Sequence, residues 1–437
     1  MQPSYSLSSL RRVSQISTAK DIRQLSHAQF PGTHCPLFGV ALTAGYIKDM
    51  VVLIVGTDEC TYYTQTFNMG RRAADSNMQD NFWSFAINQD DVVFGCAEKV
   101  EKTIRQIDAT LTPQAIMIVT TCVLEVIGED YEALAESLQP EVNAKLLVVR
   151  TEHFKCNSHI PGIERTLTAL AKLMQPEPRE EGRVNILGHR YGQIEDTELL
   201  KLLTSHGVSV NLAIPSRSTV AELMRATSAS LNIVTDFTAL PLAEIMQDKF
   251  GVPFVYFDKY MSPRRIEAAY TELSTKLGLD LGSHLQSQRR ALDDIIAAKS
   301  HVLKGKRFIY GNTPLLAFEF TGFLGELGMQ PLLVQARDLY QNDAAYMGEI
   351  LRQGYDPYVS RIANIAPLQA LYAELRPDVY IGHENPQRLM ELGIVQVAVD
   401  MAASKLGYEV PLMVLRTIVA AIEAFGDAKG AKLHAAV

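Results

Sequence analysis

A chain of 437 residues that is 47% hydrophobic is long enough for two or three domains with buried cores, and its formal net charge of −8 argues against nucleic acid or an anionic membrane as the main partner. No apolar run approaches the ~20 residues of a membrane span, and no Gly-x-x-x-x-Gly-Lys-Ser/Thr loop is present to cradle ATP. Five cysteines without close regular spacing, with no export signal in residues 1–20, predict a reducing, cytoplasmic setting with free or metal-bound thiols.

In chain order, residues 1–30 are polar and read as an extension that drapes over a neighbour or stays solvated. Residues 31–180 form a first domain, in which apolar strand-like runs at 51–55, 92–94, 115–119 and 145–149 alternate with stretches of helical period. That alternation is the pattern of an α/β domain with a parallel sheet. Residues 175–183, rich in Pro, Glu and Gly, read as a linker. A second domain, 181–302, has strands at 184–188, 208–214, 231–234 and 253–257, and ends in a helical stretch over 263–302. The third domain, 303–437, has strands at 308–311, 331–334, 378–382 and 394–399 and closes in a long helix. The strand–glycine–helix grammar recurs three times without a strict sequence period.

Three cysteines stand in turns of the first domain. Cys35 precedes Pro36-Leu37-Phe38-Gly39, Cys60 ends Gly56-Thr57-Asp58-Glu59-Cys60, and Cys122 follows Thr120-Thr121 and precedes Val123-Leu124-Glu125-Val126-Ile127-Gly128-Glu129-Asp130. Cys60 and Cys122 should lie just past the carboxyl ends of strands, where open α/β sheets place their ligands. Thiolates arriving separately at one sheet edge can bind a soft metal centre. Iron–sulfur clusters are the usual reason to gather them without a Cys-x-x-Cys repeat. Against this stands the common role of an isolated cysteine as a small buried apolar residue. Cys156, in His153-Phe154-Lys155-Cys156-Asn157-Ser158-His159, occupies another strand-end turn, and Cys96 after Phe94-Gly95 reads as a small space-filling residue. His383, after Ile381-Gly382, and His189, after Leu187-Gly188, stand at strand ends, where a histidine either orients a ligand or forms a local hydrogen bond.

The wording around these cysteines, together with Asp91-Val92-Val93-Phe94-Gly95, Arg307-Phe308-Ile309-Tyr310-Gly311 and Arg376-Pro377-Asp378-Val379-Tyr380-Ile381-Gly382, resembles the nitrogenase component 1 superfamily over residues 31–425. It is most similar to the beta-type subunit of the molybdenum–iron protein and to its nitrogenase-like relatives. The resemblance implies three Rossmann-like domains, each a mainly parallel sheet flanked by helices, with a site in the cleft between them. It implies that Cys35, Cys60 and Cys122 are the metal ligands, one subunit's share of a P-cluster-type iron–sulfur cluster (8Fe-7S, or alternatively 4Fe-4S). Ser158, matching a family Phe-x-x-Ser-His stretch, and Cys156 are implied as further cluster-touching candidates. No side chain is required as a general acid or nucleophile, because the chemistry belongs to the cluster. The implied partners are an alpha-type subunit, in a heterotetramer, and an ATP-hydrolysing homodimeric iron protein as electron donor. A family alpha-type subunit holds its active-site cofactor through a cysteine in its middle domain, and this sequence has no cysteine after Cys156. The resemblance therefore favours an electron-relaying beta-type subunit of an oxidoreductase. The activity it implies is reductive C–S cleavage by a methylthio-alkane reductase, with a cofactor-assembly scaffold or a tetrapyrrole-reducing subunit as alternatives.

Overall fold

The computed structural model describes residues 6–25, 35–75, 78–156, 158–311, 313–361 and 368–434, with side chains described as far as Gly426 except at Ala74. The glycine, threonine and histidine before Cys35 lie outside the described residues. The chain divides into two compact units, one of Phe30–Ile194 with Leu203–Tyr256, the other of Met1–Gln29, Glu195–Leu202 and Phe257–Val437.

Strand β1 (Arg11–Arg12) belongs to the second of these units, and the next ten strands to the first. After the short β2 (Ile47–Lys48), strands β3 (Met50–Gly56), β4 (Phe82–Ala86), β5 (Ala115–Thr120) and β6 (Lys145–Arg150) form a parallel sheet in the order β4-β3-β5-β6. Every residue of the central β3 and β5 is buried, which is why both read as unbroken apolar runs. A second parallel sheet of the same unit contains β7 (Glu180–His189), β8 (Ser209–Pro215), β10 (Ala229–Val234) and β11 (Phe254–Tyr256), in the order β11-β10-β7-β8. The two-residue β9 (Ser218–Thr219) pairs with β2.

One predicted strand is a helix. Residues 92–94 fall in the helix Gln89–Phe94, because Asn88 caps the Asp91 amide while Asp91 returns a bond to the Asn88 amide, both at 3.0 Å. Gly95, at φ +83°, then stops the helix. The strand that takes this place in the sheet is β4, an edge strand in which Trp83 and Ser84 are exposed and Phe82 is buried. Of the predicted linker, residues from Glu180 onward already belong to β7.

In the second unit, β12 (Arg307–Tyr310), β13 (Gln330–Ala336), β14 (Tyr358–Arg361), β15 (Val379–Ile381) and β16 (Val395–Val397) are parallel, in the order β14-β13-β12-β15-β16. The helical stretch 263–302 is two helices, Pro263–Leu277 and Gly282–Leu303, parted at Gly278, whose φ of +66° ends the first. Residues 6–25 pack onto this unit: β1 pairs antiparallel with β14, and Leu7, Leu10, Val13, Ile16 and Ile22 are buried. Ser14 donates to Asp356 from its amide at 2.9 Å and its hydroxyl at 2.7 Å. The segment thereby covers a sheet edge that would otherwise offer unpaired amides.

Candidate metal centre

All three cysteines stand at helix amino termini. Cys35 is the N-cap of the helix Pro36–Ala44, with proline at its first position. Cys60 lies in the first turn of Asp58–Ala74, and Cys122 opens Cys122–Ile127. The last two helices follow directly from the carboxyl ends of β3 and β5, as expected from the sequence. A helix amino terminus carries partial positive charge and favours a thiolate.

Close backbone contacts hold these ends in place. A Cβ on Gly162 would sit 1.8 Å from the Pro36 carbonyl oxygen, and one on Gly39 would sit 2.0 Å from that of His159. The Cys35 helix and the helix Ile160–Leu170 therefore touch backbone to backbone, and only glycine fits at the contact. Gly56 plays the same part at the end of β3, where a Cβ would meet the Thr121 hydroxyl oxygen at 2.5 Å.

Cys35, Cys60 and Cys122 line one cavity of about 200 Å³, together with Leu37, Glu59, Tyr63, Thr121, Thr151 and His153. One water needs only ~10–15 Å³ of such space. Burial pushes the Cys60 thiol up; the Thr57 hydroxyl opposes this, and the charges of Cys122 and Cys35 add to it. Burial also raises Cys122, with the charges of Glu125 and Cys35 adding to the shift. Because metal-ligating cysteines bind as thiolates, metal binding here would release the thiol protons. Among the described residues no three His, Cys, Asp or Glu side chains are arranged to hold a single metal ion. Three soft donors around a space wider than one ion suit an iron–sulfur cluster. The buried Thr121 hydroxyl oxygen on the cavity wall has no hydrogen-bond partner among the described residues.

Cys156 and Ser158 are not among the residues lining this cavity. The Cys156 amide donates to the His153 carbonyl at 3.0 Å; burial raises its thiol, against the pull of Arg165. Ser158 is buried at the start of the helix Ile160–Leu170, where its hydroxyl oxygen accepts from the Ile160 amide at 3.4 Å. The turn after β6 reaches the cavity instead through Thr151 and His153, which the sequence reading did not single out as ligands. Burial lowers the His153 imidazole from its ordinary value.

Cys96 does more than fill space. It is buried, its sulfur lies 3.3 Å from the Tyr131 hydroxyl and 3.4 Å from Glu129, and burial pushes its thiol up to about 11. Glu129 accepts from the Cys96 amide at 2.5 Å and from the Tyr131 hydroxyl at 2.6 Å, tying the turn at 95–97 to the loop after the Cys122 helix. His383 lies in the second unit, 2.7 Å from Asp400. His189 is fully buried at the end of β7.

Residues 35–423 match the nitrogenase component 1 type oxidoreductases. The chain belongs to this family. It is 25% identical over 375 residues to the nitrogenase iron-molybdenum cofactor biosynthesis protein NifE of Clostridium pasteurianum, covering 82% of this chain and 80% of that one. Identity to a light-independent protochlorophyllide reductase subunit of Heliobacterium modesticaldum is 24% over 319 residues, 70% of this chain and 60% of that protein. The nitrogenase molybdenum-iron protein alpha chain of Clostridium pasteurianum is 26% identical over 219 residues, 48% of this chain and 41% of its own length. The solved structure of nitrogenase Cp1 at pH 6.5 shares the fold, with a TM-score of 0.77 and 16% identity over 93% of this chain and 96% of that one. Among the described residues no helix is long and apolar enough to cross a membrane.

Proposed function

We propose that this chain is the beta-type, cluster-sharing subunit of a nitrogenase-like reductase, in which Cys35, Cys60 and Cys122 hold one subunit's share of an iron–sulfur cluster. The observation that carries this reading is the convergence of three thiols, from three separate helix amino termini, on one cavity in a chain of the nitrogenase component 1 family. Bound there, the cluster supplies one-electron transfer. The chain's own residues supply the thiolates, orient them through the Gly39–Gly162 and Gly56–Thr121 contacts, and line the rest of the cavity with Leu37 and Tyr63 to limit water.

The partner in this reading is an alpha-type subunit carrying the active-site metallocluster, since no cysteine follows Cys156 in the sequence to anchor one here. Electrons come from an ATP-hydrolysing iron protein, and the reaction is reductive C–S cleavage of methylthio-alkanes. A second reading, a cofactor-assembly protein, is favoured by the similarity to NifE over 82% of the chain.

The first test is iron and acid-labile sulfide per chain on anaerobically purified complex, with identification of the accompanying subunit. About four irons per chain, from half of a shared eight-iron cluster, together with an iron-bearing partner, is the expected result; a colourless protein without iron sinks the reading. Methanethiol release from a methylated sulfide, with an iron protein and ATP, supports the reductase. Transfer of a preformed cofactor to an empty recipient, without methanethiol, would identify the assembly protein instead.

A further inference from the structure

We propose that the cavity beside the open edge of β6 binds a free amino acid whose side chain ends in a primary carboxamide, of the glutamine class; the inference is independent of the cluster reading.

β6 is the last strand of its sheet and pairs only with β5. Along a parallel ladder, alternate residues turn their backbone N–H and C=O groups toward opposite neighbours. The Lys145 amide donates to the Gln114 carbonyl at 2.9 Å, so Lys145, Leu147 and Val149 face β5, while Leu146 and Val148 turn theirs to the open edge. The first rung of that edge is already filled. The Gln139 side chain donates to the Ala144 carbonyl at 3.0 Å and accepts from the Leu146 amide at 2.9 Å. One carboxamide thus joins the carbonyl of one residue and the amide two residues on, because a primary amide offers an oxygen and an N–H on the same side.

The Leu146 carbonyl and the Val148 amide form the next such pair, and among the described residues no group takes it. Leu146 and Val148 line instead, with Gln139, a cavity of about 340 Å³, within the roughly 300–1,000 Å³ of small-ligand sites. The rest of the lining carries charge of both signs. Lys172 and Glu136 are exposed and enter no ion pair among the described residues, whereas Glu132 is held by Arg150. A carboxamide on the open pair, a carboxylate toward Lys172 and an ammonium toward Glu136 are together the polar groups of glutamine. An extended peptide fits less well. Gln139 plugs the edge before this pair, and beyond it Arg165 donates to the Arg150 carbonyl at 3.3 Å.

The test is calorimetric titration of the full chain with L-glutamine, followed by hydrogen–deuterium exchange at saturation. Saturable binding at one site per chain, with exchange slowed over β6 and unchanged over β4 at the opposite edge of the sheet, is the expected result. L-Glutamate has no side-chain N–H for the Leu146 carbonyl and should bind at least about tenfold more weakly. Lys172→Ala should weaken glutamine by up to about fivefold and keep the wild-type thermal midpoint, since Lys172 is exposed. Absence of saturable binding at millimolar glutamine overturns the proposal. Glutamate binding as tightly as glutamine also overturns it, since charge alone would then hold the ligand, and so does protection that falls outside β6. Tighter binding of a blocked extended peptide than of glutamine would make this edge a protein-docking strand instead.

Discussion

At Glu125 a half-buried carboxylate accepts three hydrogen bonds, from the Thr120 hydroxyl at 2.7 Å and from the amides of Thr151 and Glu152 at 2.6 Å each. It joins the ends of two neighbouring strands, so the Cys122 helix and the His153 turn cannot move independently. Removing the carboxylate strands two amides, at about 1–3 kcal/mol each where they remain buried. Glu125→Ala should therefore cost on the order of 3 kcal/mol in urea unfolding and lower the iron retained per chain. Unchanged stability with full iron would show that the tether carries neither load. The three thiols that line the cavity were legible in the sequence because each lies in a helix-start turn, and two of those turns directly follow strong apolar runs. Glu125 was legible only as a letter in the Cys122 motif, since its amide partners are 26 and 27 residues away. His153 was missed because the Phe-x-x-Ser-His frame directed attention to Ser158, while the left-handed Glu152 and the Glu125 tether, neither visible in sequence, fix the course of the turn at His153.

Among elements, the most consequential contact is the backbone crossing of the Cys35 helix with the helix Ile160–Leu170. A methyl at Gly162 would overlap the Pro36 carbonyl, directly beside Cys35, and neither partner is the flexible end of a side chain. Overpacking of this kind costs about 1–3 kcal/mol, and here relief comes from moving the Cys35 turn. Gly162→Ala should lower the thermal midpoint and lose iron more than in proportion to the folded fraction; a variant with wild-type iron would show that the crossing does not position Cys35. Elsewhere, Glu319 on the helix Ala317–Glu326 accepts from the amides of Met261 and Ser262 at 2.9 Å each, capping the start of Pro263–Leu277 from a distance. Burial pushes its carboxyl up to about 7, against the pull of those amides and of Arg265. A carboxyl raised in the folded state binds its proton more tightly there than when unfolded. Its stabilising contribution is complete below the usual carboxylate range and is lost as pH rises from there through about 7. Glu319→Gln should flatten the loss of stability between pH 4.5 and about 7, with a difference on the order of 3 kcal/mol. Parallel wild-type and variant pH profiles would refute this.

Over the whole molecule, the repeated strand–glycine–helix grammar was readable because central parallel strands are buried on both faces and so appear as continuous apolar runs. Sheet edges broke that rule. Strand β4 buries only Phe82 and is interrupted by Ser84, β14 is four residues long, and the partner of β14 on its outer side is the polar-looking segment at Arg11–Arg12, whose buried leucines, valine and isoleucines are scattered among serines and charges. Exposed apolar side chains are equally informative at this scale. The helix Gln89–Phe94 packs against the Cys122 helix, and between them they leave Val93, Phe94 and Val126 72%, 84% and 74% exposed. Phe154, next to His153, and Tyr63, on the cavity wall, are at least half exposed as well. Apolar side chains gathered on and beside the elements that carry the thiols mark a surface suited to association, and a cluster shared between subunits needs its interface there. A charge placed on Phe94 touches nothing in the interior, so it should leave folding intact. Phe94→Lys should therefore keep the wild-type thermal midpoint of the isolated chain while sharply reducing the accompanying subunit on copurification. Iron per chain should fall with it, although Cys35, Cys60 and Cys122 are untouched. If iron and the subunit ratio both stay at wild-type values, the cluster is not completed across this face. If iron stays while the partner is lost, one chain suffices to hold it.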